Sequence, residues 1–264
     1  MQKVFKVILA VICIIAAGLI ITPFIAILVK IRPVPFFRAL MSREVFSPLL
    51  LSVFTSTIST LIALILGIGV SYVLHFKKIP LVKVFSTIVT LPMVLPPSVA
   101  GYMMLTAFGR YGLVGRYLTR IGFNLMFSVY AIIIAQIFVI LPFVINSIRS
   151  SFEDIDSNYQ KAAKVLGATE WYTFKHIILS LSKTGIYTGM VLAFARAMGE
   201  FGATMLVSGL NETMTIAIYK NAMSGKRMEA DVLSVILVVV SFGVLFAVRT
   251  INHRSTLRYS KGKN

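Results

Sequence analysis

Apolar stretches free of charge recur along the chain at 7–29, 45–76, 84–109 and 121–148, and a shorter one, almost wholly aliphatic, follows at 232–248. A further stretch, 184–211, is interrupted only by Arg196 and Glu200. About 20 apolar residues cross a hydrocarbon core, so each long stretch reads as a membrane-spanning helix, and flanking Leu, Ala and Met residues extend the shortest. The pattern predicts an all-α polytopic membrane protein. It is a single transmembrane domain over 1–264, with six spans at about 5–29, 47–74, 84–108, 126–148, 183–207 and 230–249.

Within the spans the polar positions differ. Span two carries Ser52, Thr55, Ser56, Thr57, Ser59 and Thr60; small hydroxyl residues let helices approach and bond across the contact, so they read as a packing face or as a polar pathway. Span three contains "TLPMVLPPSVAGY". Pro92, Pro96 and Pro97 each remove a backbone donor, so this span is expected to kink or break. Broken backbone at membrane depth is tolerated where protein or a water-filled cavity surrounds it, which places the three prolines among the candidates for a translocation pathway or gate.

Arg196 and Glu200 are the sharpest interruption. At mid-membrane each costs about 2.5 to 3.5 kcal/mol on insertion scales, so neither is expected to face lipid. A spacing of four on a helix would let them pair. One reading is an internal pair that locks spans together. The other sets the pair with Gly199, Gly202 and Thr204 beside the pathway, where Arg196 lowers the barrier to a dianion and the glycines let backbones approach.

Between spans four and five lies the longest connection, 150–182, expected to be cytoplasmic. Its sequence reads as two short helices about Gly167: Asp156 or Ser157 caps the first, Gly167 stops it, and Trp171, Phe174, Ile177 and Ile178 lie on one side of the second. A low-profile helix with two alanines suits insertion into a partner's groove. On the other side, "GRYGLVGRYLTRIGF" (109–123) reads as a solvated connector or as a basic vestibule that draws in anions.

Composition agrees with the pattern and adds little to it. Of 264 residues, 58% are hydrophobic and 13% charged, with a mean hydropathy of +0.89, which excludes an ordinary soluble domain. Lys and Arg number fifteen on the side of 150–182 and ten on the other, placing both termini in the cytoplasm by the positive-inside rule. The net charge of +17 comes without a long basic face or arm, so no nucleic-acid partner is expected. The first apolar run exceeds a signal-peptide core and is expected to stay as a span. Cys13 is the lone cysteine and cannot form an internal disulfide. Gly225-Lys226 and Gly262-Lys263 lack the flanking residues of a phosphate loop. His75, His176 and His253 lie apart, so neither a metal site nor a catalytic triad is expected, and the chain is not read as an enzyme.

The connection 150–182 resembles the "EAA" coupling motif of ATP-binding-cassette importer permeases through Ala162, Ala163, Gly167 and Leu179. Lys161 stands where that motif has Glu, and Ser180 where it has Pro. The segments "LPMVLPPSVAGYMML", "GRYGLVGRYL", "AAKVLGATEWYTFKHIIL" and "VLAFARAMGEFGATMLVSGLNETMTIAIY" are similar, in order and separation, to the molybdate permease subfamily. The resemblance implies a type I importer permease fold and a homodimer in the cytoplasmic membrane. It also implies two cytoplasmic ATP-binding subunits that hold ATP and Mg, and an external oxyanion-binding protein. Gln160, Lys161, Ala162, Ala163, Leu166, Gly167 and Ala168 would couple to the ATPase; Pro92, Pro96, Pro97, Arg196, Glu200, Gly202 and Thr204 are the pathway or gate candidates. A sulfate or thiosulfate permease is the close alternative, and a proton-coupled secondary transporter using Glu200 the distant one.

Overall fold

The computed structural model describes residues 2–30, 33–77 and 80–261. Arg32, Lys78 and Lys263, used in the charge count, lie outside the described residues. In chain order the helices are α1 (Gln2–Lys30), α2 (Pro33–Leu40), α3 (Arg43–Phe76), α4 (Val82–Thr90), α5 (Pro97–Phe108) and α6 (Gly115–Arg120). Then come α7 (Val129–Glu153), α8 (Ser157–Val165), α9 (Glu170–Tyr172), a π-helical turn over Thr173–Ile178, and α10 (Leu179–Leu181). The series continues with α11 (Lys183–Met198), α12 (Gly202–Val207), α13 (Met214–Met223) and α14 (Arg227–Lys261). Among the described residues, α1, α3, α7 and α14 contain stretches long and apolar enough to cross a membrane singly, and two bent helix pairs bring the possible spans to six.

α7 is the centre: 61% of its apolar window is buried, against none for α1. Association of helices in lipid rests on close packing rather than on expulsion of water, and small residues provide it. At Gly67 of α3 an added Cβ would stand 2.6 Å from Val144 of α7, and at Gly185 of α11 one would stand 2.3 Å from Ser151. Ala63, Ile140, Val144, Ile148 and Ala193 fill the resulting three-helix core. Peripheral α1 leans on α14 through Phe24 and Phe242, rings 5.8 Å apart.

Prolines break the third span as expected. A short 3₁₀ turn at Leu91–Met93 follows α4, and the axis swings by 110° before α5 begins at Pro97. Pro97 occupies the first position of its helix, where a missing N–H is harmless.

The fifth span differs from expectation. Instead of one helix over 183–207, α11 stops at Gly199 and α12 starts at Gly202, so Glu200 lies beyond the helix rather than on its face. Span two runs from Arg43 to Phe76, a few residues outside 47–74 at each end, and Pro48 in an early turn of α3 does not break the helix.

Candidate translocation and coupling sites

Glu200 is buried to 1% exposure, with one carboxylate oxygen in an ion pair and the other in a hydrogen bond. One carboxylate oxygen meets the Arg196 guanidinium at 2.5 Å, and the other accepts the Ala203 N–H at 2.9 Å, capping the first turn of α12. Its carbonyl accepts hydrogen bonds from the hydroxyls of Thr204 at 3.0 Å and Thr215 at 2.7 Å. Glu200 thus joins three elements, its carboxylate linking the end of α11 to the start of α12 and its carbonyl reaching the start of α13. Arg196 keeps a third of its side chain exposed, so the pair is structural on one side and open on the other. The ion pair expected from the spacing forms, but across a helix end.

Gln136, which the sequence reading passed over, anchors the same break from behind. Its Nε2 donates to the Ala197 carbonyl at 3.1 Å, and its Oε1 accepts from Ser59 at 2.8 Å. This amide links α3, α7 and α11 at membrane depth. The signal was present, since Gln136 is an amide amid the apolar run 129–145. Span two's hydroxyls serve as a packing face. Ser52, Thr55, Ser56, Ser59 and Thr60 are buried, Thr57 is not, and Ser52 accepts the Met214 N–H at 2.7 Å.

Pro97, Gly202 and Thr204 come together with the pair because α5 crosses α12. A Cβ at Gly202 would stand 2.7 Å from the Pro97 side chain, and one at Gly101 would stand 2.7 Å from the Ala203 carbonyl. Gly199 has no such neighbour and serves as the cap of α11. Pro92 and Pro96 sit in the bend before α5, and the adjoining Met93 sulfur accepts from Asn146 of α7 at 3.2 Å. Gly202→Val is expected to force α5 and α12 apart at a cost of about 1–3 kcal/mol, the usual range for overpacking. Thermal unfolding of the purified variant measures it, and an unchanged midpoint would contradict the crossing.

On the other end of the bundle, Asp156 caps α8 by accepting the Asn158 N–H at 2.9 Å, and Gly167 stops it with φ +75°. Thr169 caps the next turn through the Tyr172 N–H at 3.2 Å. Ala163 is buried, while Lys161, Ala162, Lys164, Leu166 and Gly167 are exposed and Gln160 and Ala168 are half-buried. Trp171 keeps to its expected side, its ring 5.9 Å from that of Phe174, but stays 69% exposed. After it comes the π-helical turn, in which the Leu179 N–H reaches back to Phe174 and Ile178 is buried.

Two contacts tie this elbow to the end of span two. Tyr72 packs its ring edge-on at 4.7 Å from Phe174, and Lys77 binds Glu170 at 2.6 Å. The Lys77 hydrogen bond holds the Glu170 carboxyl below the usual carboxylate range, and the same bond lifts Lys77 above the usual lysine range. At the opposite end, Lys226 pairs with Glu44 at 2.7 Å and Lys220 with Glu212, so the start of α14 is fastened to α3.

Residues 59–256 match the family described as "Binding-protein-dependent transport system inner membrane component". The chain is 36% identical over 86% of its length, and 87% of the relative's, to the "Molybdenum transport system permease protein ModB" of Mycobacterium tuberculosis (strain ATCC 25618 / H37Rv). It is 34% identical to the "Sulfate transport system permease protein CysW" of Synechocystis sp. (strain ATCC 27184 / PCC 6803 / Kazusa), over 78% of both chains. A solved bacterial alginate ABC transporter, in complex with an alginate pentasaccharide-bound periplasmic protein, superposes with a TM-score of 0.75 at 18% identity, covering 97% of this chain and 96% of that one. At that identity the last likeness establishes the fold alone. With three quarters of its length inside the family match and its membrane helices in the same arrangement, the chain belongs to the inner-membrane permease components of binding-protein-dependent transport systems.

Proposed function

We propose that this chain is the membrane permease subunit of an ATP-driven importer that passes molybdate and tungstate across the cytoplasmic membrane. Two copies form the conduit, with both termini in the cytoplasm. Two cytoplasmic ATP-binding subunits, holding ATP and Mg, dock on the elbow 150–182, and an external binding protein delivers the oxyanion. The observation that carries the substrate class is the 36% identity, over 86% of the chain, to a molybdenum permease.

Transport proceeds by alternating access. Closure of the ATPase pair moves α8–α10. Tyr72, Phe174 and the Lys77–Glu170 pair pass that motion to α3, and the 69° bend between α10 and α11 passes it to the helix that ends at Glu200. Arg196, paired with its carboxylate yet a third exposed, offers a partly neutralised cation to a passing dianion, weak enough to release it. A proton-carrying role for Glu200 fits poorly, because both its carboxylate oxygens are engaged.

The sulfate alternative is favoured by the 34% identity to a sulfate permease. Uptake of labelled molybdate into vesicles containing the whole assembly discriminates. Unlabelled tungstate is expected to compete at equal concentration and sulfate not, with uptake requiring ATP and surviving a protonophore. Equal competition by sulfate would transfer the assignment.

A further inference from the structure

The elbow 150–182 is not uniformly charged. Its carboxylates are used at its root: Glu153 pairs with Arg149 at 3.1 Å, Asp156 caps α8, Glu170 binds Lys77 at 2.6 Å, and Asp154 borders a cavity against α7 and α11. Its lysines are not tied down in the same way. Lys161, Lys164 and Lys175 are exposed, and no ion pair involving them is found among the described residues.

Two concave features adjoin them. A groove of about 530 Å³ runs between Ala163, Leu166, Gly167, Tyr172 and Ile177. A cleft of about 360 Å³ lies between α3 and α8, bordered by Lys77, Lys161 and Lys164 against the one carboxylate of Glu170. Beside the groove, Val165 and Leu166 are 87% and 85% exposed. An apolar centre with a charged rim is the anatomy of a docking surface, and the rim sets the sign of its partner.

We propose that the surface docked on this elbow is acidic at its rim, with carboxylates of the ATP-binding subunit entering the cleft between Lys161 and Lys164. The inference rests on the docking reading above and adds the charge. It also accounts for Lys161 at a position where the resembling motif carries Glu: the sign on the permease side is reversed, so the complementary sign is reversed on the partner. A lipid surface is the weaker occupant, because a bilayer accepts convex apolar faces and has no knob to fill a groove.

The test uses the full-length permease in nanodiscs and the P-loop ATPase encoded in a neighbouring reading frame, purified separately. Affinity is read between 0.05 and 0.5 M NaCl for the native chain, for Lys161→Gln/Lys164→Gln, and for Lys161→Glu/Lys164→Glu, each checked for an unchanged melting profile. Native affinity is expected to fall with salt, as exposed charge pairs are screened beyond a Debye length of about 10 Å at 0.1 M. The neutral pair should lose most of that slope, and the reversed pair should bind about ten-fold more weakly at low salt. Should the reversed pair disturb α8, the neutral pair still reads the slope. A slope indifferent to both substitutions overturns the charge assignment while leaving docking intact. Lysine-dependent binding to vesicles containing anionic lipid, with ATPase affinity unchanged, also overturns it, and an ATPase that binds the native chain at no salt concentration sinks the docking reading with it.

Discussion

Glu200→Ala is expected to abolish oxyanion uptake and to destabilise the protein by about 4 kcal/mol. Breaking a buried ion pair by removing one partner costs about 3–5 kcal/mol, because the other charge is left uncompensated. Here Arg196 is a third exposed, which moves the figure toward the low end. Loss of the Ala203 cap adds about 1 kcal/mol. Thermal unfolding and uptake in proteoliposomes measure the two effects. Glu200→Gln keeps an acceptor for the Ala203 N–H and should fall between, so a Gln variant as impaired as Ala would show that charge, not the cap, carries the effect. Arg196→Lys keeps the charge but not the flat guanidinium geometry. Reduced uptake with normal assembly would place the guanidinium in the path, and unchanged uptake would remove it. A Glu200→Ala protein that melts and transports normally would contradict the whole node.

Gly167→Pro is expected to uncouple ATP hydrolysis from transport, with oxyanion moved per ATP falling at least ten-fold. The native φ of +75° is closed to proline, whose ring fixes φ near −65°. The Gly167 N–H also donates to the Lys164 carbonyl at 3.1 Å, and proline has no donor. Both defects fall on the turn joining α8 to α9. No neighbour lies within 4 Å of a Cβ at this position, so Gly167→Ala suffers only the left-handed strain of about 1–2 kcal/mol. Simultaneous measurement of ATPase and uptake in the reconstituted assembly reads the ratio. The graded order native, Ala, Pro is the signature of backbone geometry, and a Pro variant with normal stoichiometry would show that force enters elsewhere.

The two sites differ in how far they could be read from sequence. At the elbow, the Asp156 cap, the Gly167 stop and the Ala162-Ala163 pair are local features, each decided within about five residues, and all appear in the structure where the sequence places them. The π-helical form of the second elbow helix was not legible. A π-helical turn inserts one residue into the repeat, and no simple periodicity anticipates it. At the membrane site, the pairing of Arg196 with Glu200 was legible, but the break at 199–201 was not. Beside the local cap by Glu200 and the Thr204 hydroxyl, it depends on the Thr215 hydroxyl of α13 and the Gln136 amide of α7.

By itself, then, the chain's hydropathy and its prolines determined six apolar segments, the broken third span and an amphipathic elbow, because hydrogen bonding within a helix and the cost of exposing backbone to lipid act locally. What only the tertiary structure decided is which helix ends, and at which residue. Buried carbonyls and carboxylates in a water-free interior must find donors wherever the packed neighbours offer them, and that choice belongs to the assembled bundle.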